Sequence, residues 1–231
     1  MADPSPYGAL AYYGHILLGT LTILAALSAL SVFKGGKLHR RAGYVFLAGL
    51  AIVCITSVSM LAQVFIAPLF MAVFTAAYAA AGAWLALRKG SNRVIAAEAM
   101  LSVFELVGLV LFLSIAIPAV ARGIIPPFGP VVIASIPLVL LAGDANWFLN
   151  RHRRAELRIR RHLARMVWAF VVVIRAPLVE LAAAGLPLSQ PFVIFGPIAL
   201  AVVMLYYFLR RYGGIRGQKP SVASSRSTAD L

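Results

Sequence analysis

The chain has 231 residues, 62% of them hydrophobic and only 12% charged, against roughly 45–50% and 25% in soluble domains. With a mean hydropathy of +0.92, a globule of this length has too little polar surface to cover itself, which excludes a soluble single domain. The net charge of +14, from 21 Lys and Arg against 7 Asp and Glu, is large enough for a nucleic-acid binder, but no soluble module presents a groove or a base-reading helix.

Seven segments carry the roughly 20 mostly apolar residues that a transmembrane helix needs. The first covers residues 10–33 and ends at Lys34, Gly35, Gly36 and Lys37. Ahead of it, residues 1–7 lack the basic stretch of a cleaved signal peptide, so a retained helix is expected. The second span runs over 42–66, and Pro68 restarts the chain for a third over 68–87. Arg88, Lys89 and Arg93 separate it from a fourth over 94–120. Residues 122–130 hold three prolines and two glycines and read as a loop. The fifth, sixth and seventh spans follow over 131–149, 163–185 and 192–209. The expected fold is therefore all-α: a seven-helix transmembrane domain over 1–212 and a flexible basic tail over 213–231.

Basic residues give this bundle a direction. Of the 21 Lys and Arg, 19 follow spans one, three, five and seven, as groups of 4, 3, 7 and 5. Arg122 and Arg175 are the two others. The positive-inside rule then predicts a cytoplasmic C-terminus and an external N-terminus, as an odd number of spans requires. His39, Arg40, Arg41, Arg158, Arg161 and His162 form the expected cytoplasmic basic surface, suited to anionic headgroups. Tyr7, Tyr12 and Tyr13 outside, with Trp147, Tyr206, Tyr207 and Tyr212 inside, read as lipid-facing girdles. A row of small residues on span three (Ala72, Ala76, Ala80; Ala79, Ala83) permits close helix approach, within one bundle or in a homodimer. Cys54 stands alone, so no internal disulfide or Cys-based metal site is possible.

Ionisable groups at bilayer depth require partners or water. Glu98 and Glu105, seven apart, share a face of span four. Counted from the predicted span ends, Glu105 and Arg175 lie at matching depths of about 17–18 Å, which predicts an ion pair. Asp144 is placed to meet Glu98, Arg158 or Arg161. His15, Gln63, Arg175 and Glu180, with Thr56, Ser57 and Ser59, are expected to line an outward-facing pocket. Pro118, Pro137, Pro177 and Pro197, all toward that side, would splay the helices around it. Such a pocket suits an anion, a quinone headgroup or a proton in transit. The alternative is a hydrogen-bonded network that fixes only helix register. A b-type haem between His39 and His162 is a third reading, because His15 has no second imidazole at its own depth. No metalloprotease, serine-hydrolase or nucleotide-binding motif is present, and no enzymatic activity is assigned.

The stretch His39-Arg40-Arg41-Ala42-Gly43 resembles the His-Arg-x-x-Gly signature of an uncharacterised bacterial multi-pass membrane family, a domain of unknown function. His15 in the first helix, and His162, Met166 and Arg175 in a late helix, match further positions of that pattern. The resemblance covers most of the chain and implies a polytopic inner-membrane protein, without supplying a reaction. Two roles stand open from the sequence: binding or moving a small molecule, quinone or proton at a polar intramembrane site, and a non-catalytic subunit of a larger respiratory or photosynthetic complex.

Overall fold

The computed structural model describes residues 7–213 as α1 (Ala9–Ser31), α2 (Lys37–Leu61), α3 (Ala67–Ala86), α4 (Asn92–Ala121), α5 (Phe128–Leu149), α6 (Arg154–Ala183) and α7 (Gln190–Tyr212). Seven helices are long and apolar enough to cross a membrane. The expected basic tail lies beyond Gly213, outside the described residues.

Local chemistry sets several helix ends. Ser91 and Ser189 cap α4 and α7, each side-chain oxygen accepting a main-chain N–H three residues on at 3.4 Å. Pro68 sits in the first turn of α3, where its missing N–H costs nothing. Gly123 and Gly185, at φ 69° and 91°, turn the chain after α4 and α6. Two expected boundaries shift. α2 begins at Lys37 and ends at Leu61, five residues ahead of the predicted span at both ends. α6 begins at Arg154, nine residues early, after a 3-10 turn over Arg151–Arg153. Arginine is a good helix former, and the charges of this first stretch are met by acids on α4 and α5, so a purely apolar window stops short of the true helix.

Contacts at the two ends show that successive helices alternate in direction. At one end His39 Nδ1 donates to the carbonyl of Ala29 at 3.0 Å, and His162 Nδ1 to that of Ala83 at 3.1 Å. The start of α2 is thereby tied to the finish of α1, and the start of α6 to the finish of α3. Lys34 donates to the carbonyls of Ala29, Leu30 and Val32 while lying 5.4 Å from the centre of the Phe208 ring on α7. At the other end His15 on α1 meets Thr56 on α2, and Tyr12 on α1 meets Glu180 on α6. The first is the basic end; the second is called the opposite end below.

α3 is the central post, touching α2, α4, α5 and α6, and it packs most extensively on α6. Ala76, Ala79, Ala80 and Ala83 are all buried, against a core that includes Val167, Ala169, Phe170 and Val171 of α6. The small-residue row is thus used inside the bundle, where short side chains let two helix backbones approach. Gly82 continues that row, and a Cβ there would run into the Arg165 guanidinium. Gly82→Ala is therefore expected to push Arg165 out of place and to cost about 1–3 kcal/mol, the usual penalty for overpacking, read as a lower unfolding midpoint in detergent. An unchanged midpoint would show that Arg165 has room to move.

The four interior prolines remain within continuous helices. The two best-formed hollows are shallow apolar grooves, one beside Tyr44, Leu47, Ala80 and Trp84, the other beside Val110, Leu113 and Pro118. Neither is lined by His15, Gln63, Arg175 or Glu180.

Candidate functional site

The buried ionisable groups gather at the basic end, between α3, α4, α5 and α6. Outermost is Glu98, 1% exposed, whose carboxylate accepts two bonds from Arg154 at 2.7 and 3.0 Å and a third from Trp147 Nε1 at 3.2 Å. This two-pronged geometry is the strong form of an Arg–carboxylate contact. Asp144, 3% exposed, accepts from three donors, Tyr78 Oη at 2.6 Å, Ser102 Oγ at 2.5 Å and Arg165 Nη2, and forms an ion pair with Arg161 Nη2 at 2.8 Å. Arg165 also donates to the hydroxyl and main-chain carbonyl of Tyr78 at 2.9 and 3.2 Å, with its guanidinium 4.3 Å from the centre of that ring. Arg154 and Arg161 each lie 4.6 Å from the centre of the Trp147 ring. Such cation–π contacts contribute about 0.5–2 kcal/mol apiece, more when desolvated.

Deepest is Glu105, fully buried. Thr75 Oγ1 donates to its Oε1 at 2.7 Å, while its Oε2 is buried without a partner. Glu98, Ser102 and Glu105 lie at i, i+4 and i+7 on one face of α4, so the site runs inward as a ladder: Glu98 with Arg154, then Asp144 with Arg161 and Arg165, then Glu105.

No ion pair joins Glu105 to Arg175. α4 and α6 run in the same direction, and the Glu98–Arg154 pair fixes their register. Seven residues on from that pair, Glu105 is level with Arg161, which leaves Arg175 about 21 Å farther along α6 at 1.5 Å per residue. The matching depths expected from sequence assumed that α6 begins at Leu163. Asp144 does meet Arg161, as expected, whereas Arg158 is exposed. Arg40 and Arg41 are exposed at the same end, Arg161 turns inward, and His39 and His162 hold helix ends together. Among the described residues no group of three or more His, Cys, Asp or Glu is arranged to hold a metal.

At the opposite end His15 and Glu180 lie within electrostatic reach of each other, and each hydrogen-bonds a different neighbour. His15 Nδ1 lies 2.7 Å from Thr56 Oγ1, and Tyr12 Oη donates to Glu180 Oε2 at 3.3 Å. Gln63, in the turn after α2, is exposed and its amide donates to the carbonyl of Ser59 in the last turn of that helix. Arg175 has a buried Nε without a partner. Two residues expected to face lipid are instead buried, Tyr12 at 5% and Trp147 at 3% exposure, because each is turned inward toward a carboxylate. Tyr13, Tyr206 and Tyr207 do face outward.

No known protein family, curated protein or solved structure matches this chain. The site is therefore read from its own residues.

Proposed function

We propose that this chain is a multi-pass protein of a bacterial inner membrane that takes up and releases a proton at Glu105. One observation carries the reading: a fully buried carboxyl group with one oxygen hydrogen-bonded to Thr75 and the other without any partner. A carboxylate in that state is costly at bilayer depth, and a bound proton removes the charge. The groups around it suit such a task. Thr75 and Tyr78 stand on α3, Asp144 on α5, and Arg165 on α6 acts on Glu105 electrostatically. Ser102, on the same face of α4 one turn nearer the basic end, donates to Asp144. A proton entering at the basic end thus meets Glu98, then Asp144, then Glu105.

The uneven charge supports a cytoplasmic basic end, by the positive-inside rule. Arg40, Arg41 and Arg158, exposed there, would rest on anionic headgroups. The His39-Arg40-Arg41-Ala42-Gly43 resemblance favours the same placement and supplies no reaction of its own.

Infrared difference spectroscopy of the reconstituted protein tests the proposal. As pH is stepped, the wild type should show a deuterium-sensitive carboxylic-acid carbonyl band that appears and vanishes. Glu105→Gln, whose amide oxygen can still accept from Thr75, should fold normally and lack the band. A band that persists in Glu105→Gln, or is missing from the wild type at every pH, would rule Glu105 out.

A further inference from the structure

We propose that Arg175 binds a phosphate oxyanion in the half of the bundle away from the Glu105 site. The inference is independent of any proton chemistry at Glu105. It starts from an imbalance of charge. Arg175 lies inside α6, a helix long and apolar enough to cross a membrane, and arginine stays charged in any protein environment. Among the described residues Arg175 forms no ion pair, and its Nε is buried with no acceptor.

Every described acid is engaged elsewhere. Glu98 is held by Arg154, Asp144 by Arg161 and Arg165, and Glu156 by Arg153. Glu105 is bonded to Thr75 about 21 Å away along the bundle axis. Glu180 comes closest in sequence, but five residues carry it about 140° around the helix, where it accepts from Tyr12. His15 supplies no negative charge and is occupied with Thr56. No described acid forms an ion pair with Arg175, and in this proposal its counter-charge comes from outside the described residues.

Position indicates which anion. Arg175 is eight residues from the end of α6 at Ala183, or about 12 Å along the axis. That end of α6 is the nearer one, so an anion reaching Arg175 from the bilayer surface would come from that side. Phosphate is the anion a bilayer presents there, and the planar guanidinium matches two of its oxygens at once. That chemistry is shared by a lipid headgroup and by free inorganic phosphate.

The test uses the full-length chain in nanodiscs. In phosphatidylcholine doped with phosphatidylglycerol, native mass spectrometry should detect phosphatidylglycerol retained on the wild type, with retention about tenfold weaker in Arg175→Gln. Arg175→Lys, which keeps the charge without the fork, should fall between them. The loss in Arg175→Gln should persist in a background carrying Arg40→Gln and Arg41→Gln, which removes the headgroup contacts of the basic end. In phosphatidylcholine alone, titrated inorganic phosphate raises the unfolding midpoint of the wild type but not of Arg175→Gln if the soluble ion is the source; retention of phosphatidylglycerol without that response assigns the headgroup. Equal retention by wild type and Arg175→Gln, together with no phosphate response, overturns the proposal. So does an Asp3→Asn variant that matches Arg175→Gln in its midpoint without any added anion, because the counter-charge would then be the chain's own. Should Arg175→Gln fail to fold, the comparison rests on Arg175→Lys, and retention equal to wild type there would likewise overturn it.

Discussion

Asp144→Ala is expected to lower the unfolding free energy by about 3–5 kcal/mol, the range for removing one partner of a buried ion pair. The reason lies less in the bonds lost than in what stays behind. Asp144 is the common acceptor for Tyr78, Ser102 and Arg165 and the ion-pair partner of Arg161, and its removal leaves two guanidinium groups with no carboxylate between them. Arg161 already carries buried Nε and Nη1 atoms without acceptors, so losing Asp144 leaves it with no carboxylate bonded to it. Asp144→Asn should be nearly as harmful, since it keeps the shape and loses the charge. Unfolding followed by tryptophan fluorescence in detergent measures both variants. The pairing itself is checked by adding Arg161→Gln to Asp144→Asn: removing one charge of each sign should recover part of the loss. A double variant no more stable than the single one would mean that Arg161 and Asp144 are not energetically coupled.

The same cluster shows how far the amino-acid sequence could be read. Spans announced themselves because runs of about 20 apolar residues have few structural alternatives, and all seven are helices. Asp144 and Arg161 could be matched because both lie near the basic end of their spans, where an error of one turn does no harm. Glu105 and Arg175 could not. Their expected pairing depended on where α6 begins, and the charges of Arg154 to His162 hide that stretch from a search for apolar spans. Arginines at 154, 158, 161 and 165 recur at i, i+4, i+7 and i+11, the period of a single helix face. That pattern was the available signal for a longer α6, and with it for Arg154 and Arg165. Tyr78, Ser102 and Thr75 gave no signal of their own. A lone tyrosine among alanines and hydroxyls within apolar runs acquire a role only when a carboxylate from another helix stands opposite, and that is a property of packing rather than of local sequence.

Trp147 tests the outer rung of the ladder. Trp147→Ala is expected to cost about 3–5 kcal/mol, as truncations of large buried aromatics do. Three losses coincide there: the apolar area of a side chain only 3% exposed, the Nε1 donor to Glu98, and the ring beneath the guanidinium groups of Arg154 and Arg161. Trp147→Phe separates them, since it restores most of the volume and a π face while leaving Glu98 short of one donor. Glu98 retains the two bonds from Arg154, so the phenylalanine variant should lose only about 1–2 kcal/mol, the scale of one charged hydrogen bond with a weakened cation–π contact. Lipid-facing placement, the natural guess for a tryptophan near a span end, predicts less than 1 kcal/mol for either substitution. A difference of that size between alanine and phenylalanine in thermal unfolding decides whether the ring holds two arginines over the entrance to the Asp144 cluster. If it does, the Glu98–Arg154 pair and Trp147 together close the basic end of the ladder, and Trp147→Ala should also speed deuterium exchange at the Glu105 carboxyl. A ring that merely anchors α5 in lipid would leave that exchange rate unaltered.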